Sequence, residues 1–323
     1  MQVLKNRTPL DFRTIWAKFG TIGIFLILII FFGVLAPRYF LQVNNIVQIL
    51  LQSAIIIILA CGEFFAILIA GIDLSIGSIL GLSGMMSAKL MASGMTFIPA
   101  ILLGGLLFGA LLGSFNGLLV SKTGLHPFII TLGTQSIFRG FTLVISDARP
   151  VYNFPIEFKT LINGNVLGLP AAVIIAVVLT VILAFMLKFS VLGRSIYAMG
   201  GNSEAARFAG INLNMIRMVV FTISGFCAGI AGVVMNARLG AAEPLAGVGY
   251  ETRAIAAVII GGASFFGGKG KIMGALFGGL IIGVISNGLN ILNVSSYYQQ
   301  IVMGSLIIFS VILDRLLSKQ KIS

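Results

Sequence analysis

Ile46-Val-Gln-Ile-Leu-Leu-Gln-Ser-Ala-Ile-Ile-Ile-Ile-Leu-Ala-Cys-Gly-Glu-Phe-Phe-Ala-Ile-Leu-Ile-Ala70 runs straight into Gly71-Ile-Asp-Leu-Ser-Ile-Gly77. The first stretch holds 25 residues and a single charge, Glu63. About 20 mostly apolar residues are enough for a helix to cross a bilayer, and water offers no reason for such a run. Gly71 breaks the pattern, Asp73 and Ser75 supply polar groups suited to a helix start, and the apolar run then resumes. The stretch therefore predicts two membrane helices joined by a tight polar link.

Outward from this pair the same alternation covers the chain. Spans are expected near 20–36, 46–70, 75–93, 98–120, 125–145, 166–187, 216–236, 251–263, 272–291 and 299–313, ten in all. Of the 323 residues 58% are hydrophobic and 9% charged, with a mean hydropathy of +1.10. Soluble domains carry roughly 25% charged residues. The fold class that follows is an all-α polytopic membrane protein, one transmembrane domain over 1–323 with a cytoplasmic N-terminal segment at 1–19. Lys5, Arg7, Arg13 and Lys18 precede the first apolar run, and no small-residue cleavage site stands before Pro37-Arg38, so the first helix reads as retained.

The 21 Lys and Arg against 9 Asp and Glu give a net charge of +12. With the N-terminus inside, fourteen of the basic residues fall in inward segments and five in outward ones, the asymmetry that orients membrane proteins and puts both termini in the cytoplasm. No aromatic-interleaved basic stripe accompanies them, which argues against nucleic-acid binding. Cys61 and Cys227 lie inside apolar runs and read as small core residues.

Gly105 to Leu118 ends in Phe-Asn-Gly-Leu and Gly274 to Leu289 ends in Ser-Asn-Gly-Leu, five helices later and hence oppositely directed. Gly71-Ile-Asp-Leu and Gly249-Tyr-Glu-Thr make a second matched pair. Such pairs predict an inverted-topology repeat around a central pathway, although glycine-rich helices also match by chance. Gly105, Gly109, Gly113 and Gly117 recur every fourth residue, a small face for close packing, with another helix of the same chain as its expected partner.

Charges inside spans are costly and mark candidates: Glu63, Asp73, Arg139 and Glu251. Asp73 suits an N-cap; Glu63 has two readings, pairing with Arg139 or facing a polar cavity. The uncharged candidates for a substrate pathway are Asn116, Thr131, Gln135, Asn287 and Asn290, whose amides and hydroxyl both donate and accept, though the same groups also serve as interhelical glue. His126, the sole histidine, cannot make a two-His metal site, and no triad is present. No cofactor or metal is expected. The glycine-rich Gly261-Gly-Ala-Ser-Phe-Phe-Gly-Gly-Lys-Gly270 is not a P-loop, since its register fails and no Ser or Thr follows Lys269. Any ATP energy must come from a partner. The longest inward loop, 189–214, holds a short amphipathic helix with Asn202 or Ser203 as cap and Gly210 as stop.

Ala70-Gly-Ile-Asp-Leu-Ser-Ile-Gly77, Gly193-Arg-Ser-Ile-Tyr-Ala-Met-Gly-Gly-Asn202, Glu204-Ala-Ala-Arg-Phe-Ala-Gly-Ile211 and the 261–270 segment resemble the permease subunits of ribose-type ABC sugar importers, over nearly the whole chain. Gly62-Glu-Phe-Phe-Ala-Ile-Leu-Ile-Ala-Gly71, Thr123-Gly-Leu-His-Pro-Phe128 and Ala237-Arg-Leu-Gly-Ala-Ala-Glu243 are most similar to the D-allose branch of that family. The resemblance implies a monosaccharide importer subunit of the bacterial inner membrane, not an enzyme itself; the alternatives are a permease for another small polar solute, such as a branched-chain amino acid or nucleoside, and an ion-coupled secondary transporter. Its implied partners are cytoplasmic ATPase subunits, an extracytoplasmic sugar-binding protein, a second permease copy and membrane lipid. It also implies that Gly200, Gly201, Asn202, Glu204, Ala205, Ala206 and Gly210 form the coupling element toward the ATPase.

Overall fold

The computed structural model describes residues 12–166 and 168–319; the expectations on residues 1–11 and 320–323, among them Lys5, Arg7 and Lys321, lie outside the described residues. In chain order the helices are α1 (Phe12–Leu35), α2 (Val43–Leu68), α3 (Ile76–Ala92), α4 (Phe97–Ala100), α5 (Phe108–Thr123), α6 (Pro127–Ser146), α7 (Ile156–Asn163), α8 (Ala171–Phe189), α9 (Val191–Gly201), α10 (Ser203–Phe208), α11 (Leu213–Leu239), α12 (Tyr250–Ile260), α13 (Ile272–Ile291) and α14 (Ser296–Lys319). A π-helical turn over Ile101–Leu107 joins α4 to α5, so Phe97–Thr123 is one continuous rod. Two-residue strands β1 (Asn165–Val166) and β2 (Leu169–Pro170) pair antiparallel between α7 and α8.

Among the described residues six helices are long and apolar enough to cross a membrane: Val43–Leu68, Phe97–Thr123, Pro127–Ser146, Ala171–Phe189, Leu213–Leu239 and Ile272–Ile291. Gly20–Leu35, Ile76–Ala92 and Ser296–Ile312 are shorter apolar helices. The stretch expected as the eighth span, 251–263, is helical only as the 11-residue α12. At 1.5 Å per residue that is about 16 Å, roughly half a hydrocarbon core. The preceding segment 240–249 is non-helical, and Gly240, Gly247 and Gly249 have positive φ there. The link before α3 is similar, with Ala70 at φ 58°. Both short helices thus begin at a break in the apolar pattern, with Asp73 in the link before α3 and Glu251 in the first turn of α12.

The layering is that of a protein whose solvent is lipid. Leu26, Ile27, Ile30 and Val34 of α1, Phe141 and Val144 of α6, and Val181, Ile182 and Phe185 of α8 are exposed, an apolar outer belt. Inside, α2 is buried at every position from Ser53 to Leu68. α2 crosses α11 where Gly62 admits the Cα of Ser224 and the Cβ of Cys227, each 3.0 Å from where its own Cβ would stand.

α5 packs most extensively on α11, and α13 on α2. The ladder Gly105, Gly109, Gly113 and Gly117 lies against Val233, Gly229, Gly225 and Met218, so the small face is spent within the chain, as expected. Gly279 and Gly283 of α13 receive Ile57 and Ser53 of α2 in the same way. Small residues permit this backbone approach, and van der Waals contact drives it where no hydrophobic effect operates between helices.

Candidate functional site

Asp73 is the centre of a buried polar cluster built from five elements. The link after α2 turns at Gly71, whose N–H donates to the Ala66 carbonyl at 2.8 Å, and brings Asp73 back beside its own helix. Its N–H donates to Glu63 Oε1 at 3.1 Å. Asp73 Oδ1 accepts from the N–H of Ser75 at 3.0 Å and from its Oγ at 2.6 Å, an Asx turn that starts α3. Ser224 Oγ of α11 donates to Asp73 Oδ2 at 2.7 Å, and Asn116 Nδ2 of α5 to Ser75 Oγ at 2.7 Å. Thr131 Oγ1 of α6 accepts from the N–H of Leu74 at 3.1 Å and donates to the Ile72 carbonyl at 3.0 Å. Glu63, Asp73, Ser75, Asn116, Thr131 and Ser224 are all wholly buried. Asp73 is not itself the expected N-cap, a position Ser75 takes; it holds the Ser75 N–H in an Asx turn two residues earlier and joins helices as well as leading into one.

A second polar group holds the break before α12 against α3. Arg139 of α6 donates to the carbonyls of Ala246 at 2.7 Å, Pro244 at 3.2 Å and Gly77 at 3.4 Å. The guanidinium fork thus satisfies backbone oxygens that an irregular segment leaves free. Glu251 Oε1 accepts from Gln135 Nε2 at 3.2 Å and from the N–H of Gly249 at 3.3 Å. Gly77 leaves the space that Glu251 Oε2 and the Gly247 carbonyl occupy. Of the two readings of Glu63, pairing with Arg139 is not made.

The five expected pathway residues divide among three places. Asn116 and Thr131 belong to the Asp73 cluster, and Gln135, one turn along α6 from Thr131, belongs to the Glu251 group. Asn287 Nδ2 donates to Asn45 Oδ1 at 2.9 Å, while Asn290 Oδ1 accepts from Gln299 Nε2 at 2.7 Å. His126 caps α6, its Nδ1 accepting from the N–H of Phe128 at 3.3 Å.

The expected coupling residues gather at the bundle end where α2 finishes. Asn202 Oδ1 accepts from the N–H of Ala205 at 2.9 Å and caps α10, and Gly210, φ 82°, follows its end. Gly201, Asn202, Glu204, Ala205 and Gly210 are exposed, Gly200 is half-buried and Ala206 is buried. Gly200 packs against the Leu68 carbonyl and the N–H of Gly268, and that N–H donates to the same carbonyl at 2.8 Å. Tyr197 Oη donates to the Gly270 carbonyl at 2.8 Å; burial pushes this phenol above tyrosine's ordinary value near 10. Asp314 Oδ2 of α14 accepts from Ser264 Oγ at 3.0 Å and the N–H of Phe265 at 3.1 Å. A cleft of about 250 Å³ between Gly200-Gly201 and Ser264–Lys269 opens here, beside the exposed Phe266.

Ser224, Asn45, Tyr197 and Asp314 are the site residues that sequence reading missed. Asp314 carried a signal, a carboxylate near the end of an apolar helix; the others are ordinary residues whose partners lie far along the chain.

The chain is thus a multi-pass helical bundle whose buried polar groups cluster at two broken helix entries. The chain belongs to the family of branched-chain amino acid transport system permease components, which it matches over residues 45–311. It is similar to the D-allose transport system permease protein AlsC of Escherichia coli K12, 56% identical over 97% of this chain and 96% of that protein. It is 42% identical to the ribose import permease protein RbsC of Haemophilus influenzae, over 92% and 93% of the two chains, and 32% identical to the L-arabinose transport system permease protein AraH of Escherichia coli K12, over 98% and 95%. No solved structure matches the chain.

Proposed function

We propose that the chain is the membrane permease subunit of an ATP-driven importer that moves a monosaccharide, D-allose or a related hexose or pentose, across the bacterial inner membrane into the cytoplasm. The observation that carries this reading is the 56% identity to a D-allose permease along almost the full length of both proteins. The family's description names branched-chain amino acids, but the three relatives above are all named for sugars, which favours the sugar.

In this reading the two units α2–α3–α5–α6 and α11–α12–α13–α14 are inverted repeats, with both termini cytoplasmic. Their support is the matched break before α3 and α12, the exchange by which α5 packs on α11 and α13 on α2, and the charge asymmetry. Gln135, Glu251 and Arg139 at the α3–α12 junction are the pathway groups best placed to change partners as the units rock, while Asn116 and Thr131 hold the α2–α3 link. Asn287 and Asn290 are the corresponding amides on the second unit.

The partners are cytoplasmic ATPase subunits, an extracytoplasmic sugar-binding protein, a second permease copy and lipid. Residues 200–210 take the ATPase, because their exposed cap and helix are braced through Gly200 on α2 and the 261–271 loop. Gly201→Arg with Ala205→Glu tests this. Both positions are exposed and nothing lies within 4 Å of a Cβ built at Gly201, so the fold accepts the change. ATP-driven uptake is expected to fall at least tenfold in correctly inserted protein, and unchanged uptake contradicts the docking role. Competition of radiolabelled D-allose by unlabelled ribose, xylose and galactose then ranks the sugars.

A further inference from the structure

Three stretches of backbone interlock through glycines where α2 ends. A Cβ built on Gly200 of α9 would run into the Leu68 carbonyl and stand 2.7 Å from the N of Gly268, whose N–H donates to that same carbonyl at 2.8 Å. A Cβ on Gly267 would stand 2.9 Å from the N of Ala70 and 3.0 Å from the Gly200 carbonyl oxygen. One on Gly268, φ 69°, would stand 2.7 Å from both Cα and N of Gly201. Tyr197, one turn before Gly201, adds the bond from its Oη to the Gly270 carbonyl.

Backbone atoms cannot swing aside as side chains do, and close-packed interiors compress little, so such a joint passes displacement on. Its three members lead to different places. Gly200 and Gly201 close α9 and run through Asn202 into α10, the exposed segment proposed to take the ATPase. Leu68 and Ala70 open the link to α3, which Gly71 turns and Asp73 anchors. Gly267 to Gly270 belong to the loop that joins α12 to α13, and α12 is held on α13 by Gly261 against Gly274 and Ala257 against Gly278. The joint therefore touches both helices that begin at a break, α3 through its link and α12 through the loop at its end.

Resting on the reading of residues 200–210 as the ATPase contact, we propose that Gly200, Gly267 and Gly268 are positioning residues for transport, one joint that turns a displacement of α10 into simultaneous movement of the α2–α3 link and the α12–α13 loop. Tyr197 fastens the joint through Gly270. Both units then answer to a single docking segment. A loosened joint lets the ATPase subunits close without moving the broken helices, so ATP is hydrolysed and the solute stays outside.

The test uses the full chain assembled with its ATPase subunits and sugar-binding protein in liposomes, with D-allose uptake and ATP hydrolysis measured on the same sample. Gly268→Ala drives a methyl group into the Gly201 backbone, and Tyr197→Phe removes one bond and adds nothing. Loss of folded protein lowers both rates in proportion and leaves their ratio alone, whereas a loosened joint lowers the ratio. Gly268→Ala is expected to keep its ATPase subunits and to move about fivefold less sugar per ATP, a size typical of coupling residues. Should it fail to fold or assemble, Tyr197→Phe carries the test, with an expected loss of about twofold. A wild-type ratio in the assembled variant overturns the proposal. Hydrogen exchange reads the movement without transport: a non-hydrolysable ATP analogue is expected to alter protection of 68–76 and 261–271 together in the wild-type complex, and a change in only one of them, or in neither, overturns the single joint. Gly201→Arg with Ala205→Glu keeps the two readings apart. Unchanged uptake in that variant contradicts the ATPase contact, while lost uptake there beside wild-type ratios in the joint variants contradicts the joint alone.

Discussion

Replacing Gly113 with alanine places a methyl group against backbone at the tightest part of the α5–α11 contact. The new carbon would overlap the Phe221 carbonyl oxygen and lie 2.9 Å from both Cα and N of Gly225. None of these atoms can rotate aside, so the two helices must separate and lose contact along the ladder. Overpacking typically costs about 1–3 kcal/mol, and blocking atoms that belong to backbone argue for the upper end. Alanine recovers about 0.5–1 kcal/mol through its better helix propensity, leaving a net loss of about 2 kcal/mol. Gly23→Ala on α1 is the control, since nothing lies within 4 Å of its added Cβ; it is expected to be neutral or slightly stabilising. Cys61 and Cys227 are both free and buried, so a fluorogenic thiol reagent stays dark until the bundle opens and reports unfolding directly. Gly113→Ala is expected to melt roughly 3 °C below the wild type. A Gly113→Ala protein that melts with the wild type, or a Gly23→Ala protein that falls as far, refutes the packing argument.

Two further outcomes follow from the polar groups. Arg139→Ala strands the carbonyls of Ala246 and Pro244 and is expected to destabilise by about 2–3 kcal/mol in the same thiol assay, with Arg139→Lys recovering only part because an ammonium lacks the fork; equal stability of Arg139→Ala and wild type contradicts this. Tyr197 holds Gly270 as a neutral phenol whose ionisation is raised by burial, so the folded state keeps its proton where the unfolded state loses it. Stability from this group is therefore complete below about pH 10 and declines as pH rises beyond it. Melting curves of Tyr197→Phe and wild type should converge at alkaline pH, and a gap that stays constant contradicts the assignment.

The membrane class and most helix positions were legible because hydropathy is local: the stretch 46–70 reads directly as Val43–Leu68. Helix starts were legible for the same reason, since Asn202 and Asp73 bond to N–H groups two or three residues on. α12 was overestimated because the segment around it is apolar and glycine-rich whether or not it is helical, and composition cannot register a backbone break. Partners were the illegible part. Ser224 reaches Asp73 across 151 residues and Arg139 reaches Ala246 across 107, contacts decided by how α11 and α6 pack. Asn116 and Asn287 share a motif yet sit in different networks, because a motif records a position on a helix and leaves its neighbours open.

The most direct test of the central claim is uptake of radiolabelled D-allose into sealed vesicles that carry this chain together with its ATPase subunits and sugar-binding protein, measured with and without ATP. Accumulation that requires ATP and survives collapse of the ion gradients is the result the account predicts. Accumulation without ATP, driven by an imposed sodium or proton gradient, contradicts it and makes the protein an ion-coupled carrier.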